Sequence, residues 1–265
     1  MIVSLPILSV ILGVVEGITE FLPISSTGHL IVVAHLFGFV GPRAEVFEIF
    51  IQFGAVLALV AEYHGRLYAT VRDFRGSDPS RRFVINLILA FVPSAAVGLL
   101  AHHWVSEHLF GPRTVAAGAI VGAALILALD RPGRSASIES LDGVTPVKAT
   151  LIGVAQCASL WPGFSRSAAT ILGGLACGLE RKVATEFSFF LAIPTLGAAT
   201  VYELLKKRDL LAAGDTSPLL LSAAVSFVVA WASIRWLLRF VSTHDLSPFA
   251  WYRIVLGVIV LAVFR

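Results

Sequence analysis

Two glutamates and a histidine, Glu16, Glu20 and His29, interrupt a largely apolar stretch from Ile2 to Val40, where His35 is the one other ionisable side chain. Charge at that depth in a hydrophobic segment is costly, so it faces a cavity and serves a function there. A second interruption, Pro162-Gly-Phe-Ser-Arg-Ser-Ala-Ala-Thr170, places Arg166 between Ser165 and Ser167. Acids and hydroxyls in one break and a guanidinium in the other point to a site for a phosphorylated ligand.

The surroundings settle the solvent. Of 265 residues, 57% are hydrophobic and 14% charged, against about 25% charged in soluble domains. Mean hydropathy is +0.87. The apolar runs are too long and too uniform for the alternating strands of a transmembrane barrel, so the expected fold is an all-α integral membrane bundle. The net charge of +3 does not call for nucleic acid, because the arginines cluster in short loops between apolar spans. Cys157 and Cys177 both lie in apolar segments and read as small hydrophobes, not a disulfide. No basic region precedes the first apolar run, so that run is expected to be retained.

Ten apolar segments can be read, at approximately 2–22, 29–40, 45–63, 83–101, 114–130, 146–160, 166–178, 184–205, 217–241 and 249–264. A crossing needs about 20 residues. Six segments meet or approach that length: 45–63, 83–101, 114–130, 184–205, 217–241 and, marginally, 249–264. Segments 29–40 and 166–178 are too short, and each follows a Pro or Gly break and a run of hydroxyls. They read as helices that enter the bilayer and turn back.

The chain also repeats itself at an offset of 140, with nine identities in positions 11–60, among them Gly13/Gly153, Ser25/Ser165 and Gly38/Gly178. The two breaks coincide in this alignment, with Ser26 over Arg166 and Thr27 over Ser167. The expectation is one membrane domain, 1–265, of two halves at about 1–135 and 141–265. Each half would hold one re-entrant hairpin and three crossings. An odd number of crossings inverts the second half, and polar sites in such folds form where broken helices meet near the midplane. The loops 64–82 and 131–148 carry eight basic residues between them, including Arg66, Arg134 and Lys148, and are expected to be cytoplasmic. Lys206-Lys207-Arg208 falls on the other side in that topology.

Glu16 and Glu20 are four apart and share a helix face. Their mutual repulsion, and that of an anionic ligand, is relieved by a divalent cation held by one or two carboxylates with substrate phosphates completing its shell. Pro23 ends the first helix, and Ser25-Ser26-Thr27-Gly28 precedes a new one near His29. Free N–H groups at a helix start favour an anion. The hydroxyls of Ser25, Ser26 and Thr27 add donors beyond what a cap requires. His29 is the proton-transfer candidate. Arg166, flanked by Ser165 and Ser167 and followed by Thr170, offers a planar fork to phosphate oxygens, with a salt bridge to Glu16 or Glu20 when the site is empty. This inventory suits phosphoryl transfer, with a serine activated by a neighbouring base.

At these residues the chain closely resembles the undecaprenyl-diphosphate phosphatase family, also known for bacitracin resistance. Glu16-Gly-Ile-Thr-Glu20-Phe-Leu-Pro-Ile-Ser-Ser-Thr-Gly-His29 is similar to the family's first motif and Pro162–Thr170 to its second. The resemblance implies a phosphoric anhydride hydrolase of the bacterial inner membrane. It would act on the C55 polyprenyl diphosphate lipid and recycle the carrier for peptidoglycan synthesis. It further implies catalytic roles for Glu20, Ser26, His29 and Arg166 and substrate contacts from Ser25, Thr27, Gly28, Ser165, Ser167 and Thr170. Magnesium or calcium would be held by Glu16 and Glu20, the site would open to the exterior, and the protein would form a homodimer among membrane lipids. Whether Ser26 or a water is the nucleophile stays open. The rival from another class is a transporter or flippase, because broken helices in inverted repeats are also transporter architecture.

Overall fold

The computed structural model describes residues 3–131, 133, 135–207 and 216–264. Ile2, Arg134 and Arg208, which entered the sequence reading, lie outside them. The described residues form eleven α-helices: α1 Leu5–Thr19, α2 Ser26–Leu36, α3 Pro42–Glu62, α4 His64–Arg72, α5 Asp78–His108, α6 Pro112–Leu129, α7 Pro146–Gln156, α8 Arg166–Ala176, α9 Arg181–Lys206, α10 Thr216–Val241 and α11 Ser247–Val263. Among these residues the only β feature is an isolated bridge between Ile138 and Leu179. The chain is a multi-pass helical membrane protein.

Five helices are long and apolar enough to cross a membrane: α3, the Asp78–Ala101 part of α5, α6, α9 and α10. The sixth expected crossing, α11, has 17 residues, at the lower edge of what spans. The short helices are α2 and α8, 11 residues each. At 1.5 Å per residue each rises about 16 Å, roughly half the hydrocarbon thickness.

Punctuation in the sequence explains these limits. Pro begins or nearly begins α1, α3, α5, α6, α7 and α11, where its missing N–H is not needed. Ser25 caps α2 by accepting from the Gly28 N–H at 3.4 Å, and Ser165 caps α8 by accepting from the Ala168 N–H at 3.3 Å. Both serines hold φ near +73°, at 72° and 74°. Such a conformation costs a non-glycine residue about 1–3 kcal/mol and concentrates at functional sites. The chain leaves α2 through Gly38 and α8 through Gly178, both at positive φ.

Packing interleaves the first and second parts of the chain. Helix α1 lies on α10, α7 on α5, α11 on α6, and α10 also on α3. Close approach depends on glycine: a Cβ on Gly13 would lie 2.6 Å from the Ser222 carbonyl of α10, and one on Gly153 would lie 2.3 Å from the Ala90 carbonyl of α5. In lipid such small-residue contacts replace the hydrophobic drive. Phe21, between α1 and α2, packs edge-on to Phe189 of α9 at 5.6 Å, which seats the first break in the main core.

Candidate active site

The two breaks, Leu22–Ser25 between α1 and α2 and Trp161–Ser165 before α8, meet. Glu20 and Arg166, 146 positions apart, form a buried ion pair with Arg166 Nη2 3.2 Å from Glu20 Oε1. The other carboxylate oxygen, Glu20 Oε2, accepts from the Ser26 hydroxyl at 2.6 Å. Ser26 therefore sits on an acceptor positioned to take its proton, with a guanidinium on the far side of that acceptor. Arg166 Nη1 donates to the Ser188 carbonyl and hydroxyl of α9 at 3.1 and 3.3 Å.

Further bonds stitch the reversals together. Ser167 donates to the Leu22 carbonyl at 2.9 Å. Its oxygen lies 3.0 Å from Ser165 Oγ, so Ser165 is the donor of that pair. Thr170 Oγ1 is 2.6 Å from Ser188 Oγ and so supports the residue that supports Arg166. Ser165, Ser167 and Thr170 are all buried.

Four buried side-chain atoms among the described residues lack a hydrogen-bond partner, and two belong to this cluster: Glu16 Oε2 and Arg166 Nε. A buried acceptor and a buried donor left open in one site are what a cation and an anionic oxygen would complete. A cavity of about 810 Å³ adjoins the cluster, lined among others by Glu16, Ser26, Thr27, Glu48, Gln52 and Lys207. It reaches the C-terminal end of α5 through Ser106 and the short α5–α6 connection through Phe110. Glu20, Arg166, Ser165, Ser167 and Thr170 are not among its lining residues; Glu20 meets the wall through Ser26, and Arg166 stands behind Glu20.

A divalent cation finds a partial cradle here. Glu16 offers an unpartnered oxygen on the cavity wall, which fits a hard cation that also takes ligand phosphate oxygens. Both oxygens of Glu20 are engaged by Ser26 and Arg166. Among the described residues no cluster of three His, Cys, Asp or Glu could hold a metal by itself, so a cation at Glu16 would need further ligands from outside the protein.

His29 stands apart from this cluster. Its Nδ1 donates to the Ser25 carbonyl at 2.7 Å, which leaves Nε2 of the neutral ring to accept from the Tyr252 hydroxyl at 2.6 Å. The imidazole lies nearly parallel to the ring of Tyr252 of α11, with centroids 5.5 Å apart. Gly28, also on α2, is buried and carries the capped N–H.

Three participants escaped the sequence reading: Ser188, Tyr252 and Arg253. Arg253 is fully buried and, among the described residues, donates only to main-chain carbonyls, those of Pro23, Gly118, Ala119, Gly163 and Phe164. One signal was available for it, an arginine in the middle of an apolar segment. Ser188 and Tyr252 gave none.

Comparison with known proteins agrees with the motifs. The family model of bacitracin resistance protein BacA matches residues 9–259. An undecaprenyl-diphosphatase of Dechloromonas aromatica is 49% identical over 97% of this chain and 94% of its own length. Relatives of the same description from Nitrosospira multiformis and Cupriavidus metallidurans are 51% and 46% identical, covering 95% and 98% of this chain and 92% and 95% of their own.

Proposed function

The chain belongs to the bacitracin resistance protein BacA family, and from that premise we propose that the junction of its two reversals is the site where undecaprenyl diphosphate loses its terminal phosphate. The activity is that of an undecaprenyl-diphosphatase, a membrane hydrolase yielding undecaprenyl phosphate and phosphate. Its product returns the carrier lipid to cell-wall synthesis, which underlies bacitracin resistance.

The observation that carries the site assignment is the 2.6 Å bond from Ser26 to Glu20, itself paired with Arg166. When a diphosphate enters the cavity, its terminal oxygens compete for Arg166, and the open Nε adds a second donor for them. Glu20, relieved of the guanidinium, is free to take the Ser26 proton. Ser26 Oγ then attacks the terminal phosphorus as the bond from phosphorus to the bridging oxygen breaks. Glu20 passes that proton to the bridging oxygen as undecaprenyl phosphate leaves; again a carboxylate, it takes a proton from a water that attacks phosphorus, and the Ser26–phosphorus bond breaks with that proton returned to Ser26 Oγ as phosphate is released. Ser25, Thr27 and the N–H groups at the start of α2 offer donors to the bound headgroup, while Ser165, Ser167 and Thr170 hold Arg166 and α8 in place. His29, on Tyr252, is available to exchange a proton near the headgroup. The same geometry accommodates a water activated by Glu20 in place of Ser26. A divalent cation, magnesium or calcium, would be held by Glu16 with the diphosphate oxygens, and would neutralise phosphate charge.

The topology reading has two supports. Arg66 and Asp142 form an ion pair at 2.8 Å, which brings the 64–82 and 131–148 loops to one end of the bundle. The cavity reaches the end of α5 and its connection to α6, the side opposite the 64–82 and 131–148 segments and so the exterior in the positive-inside reading. We read the protein as an inner-membrane enzyme with an outward-facing site, α11 as a sixth crossing, and α1–α2 and α7–α8 as two re-entrant hairpins. The matched 11-residue helices α2 and α8, each capped by a serine at positive φ, support inverted repeat halves. The homodimer stands as a further part of this reading.

The test is phosphate release from C55 diphosphate by purified protein in detergent. Release that stops with a chelator and returns with magnesium or calcium is expected. No release, with the lipid diphosphate bound intact, would favour a carrier instead, since transport needs two compartments and hydrolysis does not.

A further inference from the structure

Arg253 is 0% exposed on α11, and among the described residues no carboxylate pairs with it. Its acceptors are five main-chain carbonyls. Nη1 donates to Pro23 at 3.1 Å, and Nη2 to Gly163 at 3.2 Å, Phe164 at 2.6 Å and Gly118 at 3.3 Å; Nε donates to Ala119 at 3.1 Å. Pro23, Gly163 and Phe164 lie in the two reversals, where helical hydrogen bonding has stopped. Within a bilayer no water is at hand to satisfy such carbonyls. A guanidinium, with five donors and no acceptor, matches the need.

The slot for this side chain is built for it. A Cβ on Gly122 would lie 2.0 Å from Arg253 Nη2, and one on Gly118 would lie 2.6 Å from the Pro162 carbonyl. Gly118 and Gly122 are four apart on α6, a small-residue spacing usually taken as a helix-pairing face. Here that face admits a guanidinium and the second reversal.

We propose that Arg253 is a positioning residue for the hydrolysis, its guanidinium fixing the first reversal against the second so that Ser26 and Arg166 meet across one headgroup. The proposal rests on the reading that these reversals form the hydrolytic site. The grip is close to the chemistry: Pro23 is three residues before Ser26, and Gly163 three before Arg166. Loosening it shifts reacting groups relative to each other, and a displacement of about 1 Å is enough to cost roughly a hundredfold in rate.

The experiment compares purified full-length wild type, R253Q, R253K and G122A in phosphate release over a range of C55 diphosphate concentrations, with thermal unfolding recorded for each. The expected result is kcat lower by roughly a hundredfold in R253Q with KM within about threefold, because the headgroup contacts survive while their alignment does not. R253K, with a compact ammonium in place of the fork, recovers only part of kcat. G122A keeps the arginine but fills its slot, and is expected to lower kcat at least about tenfold. If R253Q fails to fold, R253K and G122A carry the test. Folded R253K and G122A with wild-type kcat, or a loss confined to KM or to unfolding temperature, would overturn the proposal. Inactive wild type would instead overturn the hydrolytic reading beneath it.

Discussion

The two reversals share a design and divide the labour. Each places a serine at φ near +73° ahead of an 11-residue helix, and in each that serine caps the helix through the N–H three residues on. They differ in where the remaining hydroxyls go. In the first, Ser26 and Thr27 lie on the cavity wall, and Ser26 bonds to a carboxylate. In the second, Ser165, Ser167 and Thr170 are buried and spend their bonds on the protein, through Leu22 and Ser188. In the proposed reading the first break faces the ligand and offers Ser26 or a water held by Glu20 as nucleophile, and the second mounts one guanidinium, Arg166. The same local geometry thus opens one helix start on the cavity and seats the other against α9.

The sharpest way to break this contrast is at its reactive end. Ser26→Ala is expected to lower kcat for phosphate release by about 10³-fold or more, the scale of losing a nucleophile, with its unfolding temperature unchanged. A phosphate-release assay showing substantial residual activity would hand the nucleophile's role to water. Arg166→Ala should cost about 3 kcal/mol in the transition state, roughly a hundredfold, by removing one charged donor from the developing phosphoryl charge; near-normal kcat/KM would refute its place in the site. Ser167→Ala tests the scaffold. Losing the bond to Leu22 should destabilise the fold by about 1–2 kcal/mol, seen as a lower unfolding temperature, and should cut activity far less than Ser26→Ala. Equal losses for the two serines would erase the distinction. The smallest effect is expected at the cavity rim, where Lys207 pairs with Glu45 and Glu203 at 2.9 and 2.8 Å. Lys207→Ala should change stability by under about 1 kcal/mol, as partly exposed pairs do, a difference small enough to need denaturant titration.

Much of the fold could be read in advance because its limits are marked chemically. Pro23 and the hydroxyl run after it announce the first break, and the Pro-Gly pair at 162–163 announces the second. The ion pair between Arg166 and a first-motif glutamate was also legible, since two opposite charges in apolar segments have few other partners. Side-chain direction was not. His29 lies one turn from Ser25, yet its ring turns to Tyr252, because the rotation of α2 is set by its packing in the bundle and not by its own residues. The hydroxyls of the second motif looked like ligand donors in sequence, and only their burial reveals how fully the protein uses them. Arg253 was overlooked because a single arginine in segment 249–264 reads as an exception to a span. Its meaning depends on carbonyls brought to it from residues 23, 118, 119, 163 and 164.

Convergence of the two reversals on one catalytic unit is tested most directly by a kinetic double-mutant cycle on Glu20 and Arg166, which lie 3.2 Å apart. The measurement is kcat/KM for phosphate release in wild type, Glu20→Gln, Arg166→Ala and the pair combined. Groups acting on one phosphoryl transfer are strongly non-additive, so the double variant is predicted to lose little more than the worse single variant. Losses that simply multiply would mean that the acid and the guanidinium work independently, and would contradict a shared site.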